Sequence, residues 1–368
     1  MRFCAVLRHH PKDKPGGSEY QAHLITKSLS QMGHETHYLA YRSGNKSRVV
    51  DESVTVHRES YKPIRDLPKV IKKLIEIDAD VYYFRLLSDL PLASLLKKYT
   101  RKPVIFQVSH DAVCSSTLSP WPNLGVNSVI KRALLQLRIV NYRLLLSIPD
   151  QVLVQKKTQS ELLSKNHNIN SIIVGNGHPI PNAGFTKHSP PVVLWLASIK
   201  GWKQPLKFLE LAEECSDVPC EFWIVGRRAD EELSNEVISR TQKMENVYYK
   251  GACSISESND YIGRASLFVN TSIQEGFPNT FIQCWLRKTP VLSLNVDINS
   301  HLIDNEAGSL CPTINDLSQA VKKFITNDSY RESTSLTARR IAERNYSINS
   351  VAEKIESVCE KEIGRNSY

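Results

Sequence analysis

Short β-rich apolar runs alternate with longer helical stretches along most of this chain, and the rhythm stops once and starts again. In the first half the runs Phe3–Leu7, Glu35–Leu39, Val54–His57, Val81–Phe84, Val104–Val108, Gln151–Val154 and Ile172–Val174 read as strands. Helical stretches fall between them at Ser18–Met32, Pro68–Ile77, Leu90–Lys98, Ser128–Leu146 and Thr158–Leu163. Strands separated by helices cannot pair as hairpins, so the pattern demands a parallel sheet with both faces covered. After a junction dense in turn formers, Gly175 to Gly184 and then Ser189-Pro-Pro191, the second half repeats the scheme. Its strands are Val192–Leu196, Glu221–Val225, Val247–Tyr249, Leu267–Asn270 and Val291–Leu294. Its helices are Gln204–Glu214, Glu231–Arg240, Ser256–Gly263 and Thr280–Arg287. The expected fold class is therefore α/β, with two doubly wound, Rossmann-like domains and a hinge near residues 176–190. Ligands in such sheets bind beyond the carboxyl ends of the strands, so two facing domains would place a cleft there.

Length and composition agree with this scheme. A chain of 368 residues suits two domains, and 41% hydrophobic with 23% charged residues is ordinary for a soluble protein. No apolar run reaches the ~18 residues of a membrane span. Met1–Leu7 reads as a first strand rather than a signal peptide. The eight cysteines are scattered without a CxxC, so they are expected to be thiols in a reducing cytoplasm. Charge is lopsided: residues 1–182 hold 26 Lys and Arg against 14 Asp and Glu, and the remainder hold 21 against 24. A basic half suits an anionic partner, such as a phospholipid surface or a lipid-diphosphate acceptor, and equally a merely solvated surface. No nucleic-acid-binding signature accompanies it. The basic, apolar segments Val129–Leu146 and Tyr61–Lys73 are candidates for contact with an anionic leaflet, or else ordinary core helices with a solvated side.

Several motifs sit where strands give way to helices. Pro15-Gly-Gly-Ser18 opens the first helix, where glycines let a ligand approach the backbone and free N–H groups can meet an anion; Ser18 could equally be a plain N-cap. Ser109-His110-Asp111 ends a strand, and His110 could donate to a sugar hydroxyl with Asp111 fixing its tautomer. Asp78-Ala-Asp80 spells a DxD, yet it precedes a strand and so belongs to the amino edge, away from ligands. With no HExxH and no His/Cys cluster, no protein-bound metal is expected. Lys200 and Lys203 flank Gly201 after the second domain's first strand and could neutralise a departing diphosphate. Val225-Gly-Arg-Arg228 suits either a nucleotide contact or an exposed turn. In Glu275-Gly-Phe-Pro-Asn279, Pro278 suits a helix entrance and Asn279 a cap, with the helix expected from about Thr280. The N–H groups of Gly276 to Thr280 could meet a sugar or phosphate, Glu275 could accept from sugar hydroxyls, and Gln283 lies one turn further in.

Together, GGSEYQAHLITKSLSQMGHETHYL, VSHD, the NGHPIP hinge at Asn176–Pro181, WLASIKGWKQP and EGFPNTFIQCW resemble retaining nucleotide-sugar glycosyltransferases of the GT-B fold, family 4 (glycosyl transferases group 1). The matches span roughly residues 3–345 in the expected order. The resemblance implies an acceptor-binding domain at 1–182, a nucleotide-sugar domain at 183–345 and a final segment, 346–368, whose helix returns to the first domain. Residues after Lys361 are expected to fray. Gly16 and Gly17 match the loop near the donor phosphates, and His110 the histidine contacting the transferred sugar. Lys203, and with it Lys200, matches the basic group on the diphosphate. Glu275 matches the first glutamate of the family's Glu-x7-Glu motif, and Gly276, Phe277, Pro278 and Asn279 its sugar-contacting turn. Two positions depart from the pattern. Gln283 stands where the ribose-holding second glutamate is usual, and Ser198 where a basic or amide residue is frequent.

The activity implied is retaining, metal-independent hexosyl transfer from a nucleoside diphosphate-sugar, UDP- foremost. The acceptor would be a hydroxyl of a glycan or lipid-linked molecule in cell-surface polysaccharide synthesis. The expected setting is the cytoplasm, at the inner face of the membrane, with no cofactor beyond the donor substrate and no nucleic acid. Gln283 and Ser198 motivate the alternative of a non-catalytic scaffold. A GT-B epimerase or phosphorylase is a third reading.

Overall fold

The computed structural model describes all residues except 15, 62–64, 115–141, 183 and 367–368. Pro15, most of the segment Val129–Leu146, and part of Tyr61–Lys73 lie outside the described residues. The chain divides into two compact units. One comprises Met1–Gly177 with Ile348–Tyr368, the other His178–Ser347.

The first unit is built on strands β1 (Arg2–Leu7), β2 (Glu35–Ala40), β3 (Arg42–Asp51), β4 (Val54–Ser60), β5 (Val81–Phe84), β6 (Val104–Gln107), β7 (Gln151–Val154) and β8 (Ser171–Ile173). They lie in the order β3-β4-β2-β1-β5-β6-β7-β8. All neighbours pair in parallel except β3, which runs antiparallel to β4 with its register shifted between Arg42 and Ser47. The sequence reading missed β3. Its run RSGNKSRVVD has neither alternation nor an apolar core, because an edge strand need satisfy only one neighbour. β1 sits in the middle of the sheet, with Phe3 through Leu7 fully buried.

Two apolar layers cover this sheet. On one face Val70, Ile71, Leu74 and Ile77 of helix Leu67–Ile77 and Leu92, Ala93 and Leu96 of helix Leu90–Thr100 pack on Cys4, Val6, Tyr82 and Phe84. The apolar stripe of the helix after Tyr61 is spent in the core, and Lys69 and Lys72 face solvent. On the other face, helix Gly17–Gln31 contributes Ala22, Ile25 and Leu29. The final helix, Ile348–Asn366, adds Val351, Ala352, Ile355, Val358 and Cys359 beside them. Burying five such side chains is worth on the order of 10 kcal/mol before ordering entropy. The helix does not fray after Lys361. It continues to Asn366 because Ile363 still packs on the core and buried Glu362 bonds Arg365 Nη1 at 2.6 Å.

The second unit has a six-stranded, wholly parallel sheet of β9 (Val192–Leu196), β10 (Glu221–Val225), β11 (Val247–Tyr249), β12 (Leu267–Asn270), β13 (Val291–Ser293) and β14 (Gly308–Leu310). Their order is β11-β10-β9-β12-β13-β14. The stretch 295–345, to which the alternation assigned nothing, holds β14 and the helices Ile314–Thr326 and Asp328–Tyr346. The first of these opens on a reciprocal cap between Thr313 and Asp316. Asp78 and Asp80 lie at the amino edge of the first sheet: Asp80 Oδ2 accepts from the Arg2 N–H at 2.6 Å, and Lys102 lies 3.8 Å from its other oxygen. All eight cysteines are free thiols, only Cys253 being partly exposed. Among the described residues no helix is long and apolar enough to cross a membrane.

Candidate functional site

In each unit the residues singled out by sequence gather at the carboxyl edge of a parallel sheet. In the first unit, Gly16 takes the N-cap position of helix Gly17–Gln31 in an extended conformation, and no side chain caps the helix there. Ser18 is not the cap. Its hydroxyl donates instead to Ser109 Oγ at 3.1 Å, and Ser109 donates on to the Arg85 carbonyl at 3.2 Å. A Cβ at Gly17 would meet nothing within 4 Å, so the fold itself does not demand glycine there. His110 is exposed and extended at the head of the short turn Asp111–Val113. Asp111 does not hold its ring: its two oxygens accept from Lys156 Nζ and Gln159 Nε2, each at 2.8 Å.

Beneath this edge lies a polar layer that sequence reasoning did not find. Arg85, 2% exposed, donates to Tyr83 Oη (3.0 Å), Gln107 Oε1 (2.9 Å) and Asn176 Oδ1 (3.0 Å), while its Nε has no partner. Gln155 also donates to Asn176 Oδ1, and Gln107 to the Val174 carbonyl. Gln21 exchanges two hydrogen bonds with the Gly177 backbone. A buried guanidinium held by neutral acceptors leaves its charge uncancelled close beneath Ser109.

In the second unit, Lys203 follows β9 and Glu275 follows β12, and the parallel sheet brings the two loops together. Lys203 Nζ forms a short ion pair with Glu275 Oε1, which also accepts from Ser272 Oγ at 2.7 Å. Both side chains keep about a fifth of their surface exposed, 20% and 18%. Thr271 fixes the arrangement. Its hydroxyl donates to the carbonyls of Lys203 (2.7 Å) and Gln204 (2.9 Å) and accepts from Trp195 Nε1 (2.9 Å). The Ile273 N–H adds a bond to the Trp202 carbonyl. Gln204 turns the chain into helix Pro205–Glu214 in the left-handed region, φ 49°. Lys200 does not join the ion pair; its ammonium lies 4.6 Å from the centre of the half-exposed Trp202 ring.

The turn Gly276–Thr280 is less open than its sequence suggests. Helix Asn279–Leu286 starts one residue early, with Pro278 in the cap position. Asn279 is therefore not the cap. Its N–H bonds the Phe277 carbonyl, and its Oδ1 lies 3.3 Å from Nε2 of buried His178. Burial drives the His178 pKa down to about 4, so near neutral pH the ring is uncharged and can donate that bond. The Phe277 ring is core, packed toward Tyr346. Of the turn's backbone donors, those of Gly276, Phe277 and Thr280 remain. Gln283 is half-buried one turn into the helix. Ser198 carries a finding of its own: Arg227, from the loop after β10, donates through Nε to its hydroxyl at 3.1 Å. Ser272 and Thr271 had no signal in one sequence, since each matters only through a neighbour strand, and Arg227 stood only within Val225–Arg228, read either as a nucleotide contact or as an exposed turn.

These geometries set the comparisons with known proteins in context. Residues 190–327 match the family model described as glycosyl transferases group 1. A Xenopus tropicalis protein, glycosyltransferase 1 domain-containing protein 1, is 24% identical over 173 residues, 46% of this chain and 50% of the relative. The chain thus spans about half the length of that curated relative. Among solved structures, a glycosyltransferase from Rickettsia africae superposes with a TM-score of 0.76 at 14% identity, covering 98% of both chains. Sucrose-phosphate synthase from Thermosynechococcus elongatus gives 0.75 at 13% identity, again covering 98% of each. Anabaena HepE, solved in complex with UDP-glucose, gives 0.70 at 13%, covering 98% of this chain and 100% of that one. Likeness at such identity establishes the fold, two Rossmann-like domains of GT-B type. Residues 190–327 thus carry the sequence pattern of the glycosyl transferases group 1, and the chain as a whole has the GT-B fold.

Proposed function

We propose that this protein is a retaining hexosyltransferase that draws on a nucleoside diphosphate-sugar, with UDP-sugars the first donors to test. The observation that carries the reading is the Lys203–Glu275–Ser272 cluster at the carboxyl edge of the second sheet, beside the Gly276–Thr280 turn. Lys203 there holds a cation ready for a departing diphosphate, and Glu275 a carboxylate suited to sugar hydroxyls. Lys200 and the N–H groups of Gly276, Phe277 and Thr280 add donors. Protein cations would thus do the work that a metal does elsewhere. In the first unit, Gly16, Gly17 and exposed His110 would meet the donor's phosphates and sugar, and the same unit would hold the acceptor. The open space at Gly17, which folding does not require, suits a ligand approaching the backbone. UDP-glucose in HepE supports the donor class.

The acceptor is proposed to be a hydroxyl of a glycan or a lipid-linked glycan in cell-surface polysaccharide assembly. Peripheral binding to an anionic membrane surface through the basic segment 129–146 goes with it; flotation of the protein with liposomes that ignores anionic lipid content would refute that part.

The test is a panel of UDP-, GDP- and ADP-sugars assayed for transfer and for slow donor hydrolysis, alongside Glu275→Gln. At least one donor should turn over, and the variant should lose on the order of 100-fold in rate with its melting temperature kept. Turnover of no donor, with or without acceptor, would overturn the reading. Gln283 favours a second reading, a non-catalytic scaffold, which predicts no nucleotide binding by wild type and none rescued by Gln283→Glu.

A further inference from the structure

We infer that Arg227 is a diphosphate-binding residue of this chain, supplying from the second loop of the sheet the positive charge that Ser198 does not supply from the first. The inference rests on the second unit being the nucleotide-sugar site.

The geometry begins with backbone. The segments after β9 and β10 continue the parallel pairing past the strand ends: the Ala197 N–H bonds the Val225 carbonyl at 3.1 Å and the Ile199 N–H bonds the Arg227 carbonyl at 3.0 Å. An isolated bridge joins Ile199 to Arg228. Gly226 makes this closeness possible. Its φ is +155°, and a Cβ there would lie 1.8 Å from the Ala197 carbonyl oxygen. Arg227 is therefore not on a loose tip; its Cα is fixed one hydrogen bond from the 197–203 loop.

Its side chain lies back over that loop. Nε donates to Ser198 Oγ at 3.1 Å, so a small hydroxyl at 198 is what lets the guanidinium settle there. A long side chain at 198 would fill the same space. The residue is exposed, and among the described residues no carboxylate pairs with it. The neighbouring Arg228 turns away and donates to Asn235 Oδ1. Arg227 thus presents the remaining N–H groups of its fork at the carboxyl edge, where the same loop carries Lys200 and Lys203. Lys203 is shared with Glu275, Lys200 lies against Trp202 and Arg228 bonds neutral Asn235, so Arg227, which has no acidic partner among the described residues, is the guanidinium set over the loop that carries both lysines. A bidentate donor of that kind suits two oxygens of a diphosphate better than it suits a neutral sugar or base.

The experiment is calorimetric titration of wild type, Arg227→Ala and Arg227→Ala/Ser198→Arg with UDP, GDP and ADP, and with the matching nucleosides. The diphosphate that wild type binds should bind Arg227→Ala roughly 10-fold or more weakly. Binding of its nucleoside should be unchanged, and the double variant should recover most of the loss. A melting temperature equal to wild type shows that the loop is intact. Unchanged diphosphate affinity in Arg227→Ala, or an equal loss for nucleoside and diphosphate, overturns the assignment while leaving the nucleotide-site reading standing. No binding of any nucleotide by wild type overturns both.

Discussion

The two carboxyl edges of this protein carry positive charge in opposite ways. In the first unit the charge is Arg85, buried and held by Tyr83, Gln107 and Asn176, none of them acidic. In the second it is a group of side chains still in reach of solvent: Lys200, Lys203 paired with Glu275, and Arg227 on Ser198. A buried charge cannot be rearranged when a ligand arrives, so Arg85 acts as a fixed field and as a clamp on the strands around it. Charges that keep water and flexible stems can change partners, which the diphosphate site proposed for this edge would require. One edge is built for rigidity, the other for exchange.

The sharpest way to break this contrast is to make the same edit on each side. Arg85→Met should lower unfolding free energy by about 3 kcal/mol, because Gln107 and Asn176 lose buried hydrogen bonds that water cannot replace. Lys203→Met should cost only about 1 kcal/mol of stability while suppressing turnover, since Glu275 keeps Ser272 and access to solvent. Paired denaturant titrations decide it: equal losses would mean the two edges do not differ.

Acid separates the units next. Burial lowers the pKa of His10 and His57, in the first unit, to about 4, and also depresses those of His23 and His37. In the second unit His178 is lowered to about 4. Above about pH 6.5 these rings are neutral in both folded and unfolded chains and their contribution is complete. As pH falls from 6.5 toward 4 the unfolded chain takes up protons that the folded one refuses, so stability is lost by up to about 1.4 kcal/mol per pH unit for each ring. The first unit, which holds four of these rings and also His9 and His167, lowered by burial, should melt first. A melt at pH 5 of a Trp121→Phe variant, whose remaining tryptophans at 195, 202, 223 and 285 all belong to the second unit, followed by fluorescence against far-ultraviolet dichroism would show the dichroism falling earlier. Coincident transitions would refute the ordering.

The smallest effect sharpens the second edge alone. Gln283→Glu should tighten donor binding by a factor of several, about 1 kcal/mol, by giving the half-buried position one turn inside helix Asn279–Leu286 a charged acceptor. Isothermal titration with the active donor measures it, and weaker binding would show that the position does not face the ribose.

The alternation of apolar runs and helical stretches determined, from sequence alone, that two doubly wound parallel sheets form and which turns lie at their carboxyl edges. It did so because the repeat distance of a strand and the amphipathic period of a helix are local properties. Glu275, Lys203, His110 and Gly16-Gly17 could be named for the same reason, as each stands just past a strand. What escaped was set by neighbours distant in the chain. β3 is polar because only β4 has to accept it, and Arg85 is buried through partners 22 and 91 residues away. The turn Val225–Arg228 was named with two readings left open, and what places Arg227 on Ser198 is the parallel pairing that lays the loop after β10 against the loop after β9. Tertiary structure alone decided these, since hydrogen bonding and desolvation act across space, where one sequence carries no distance.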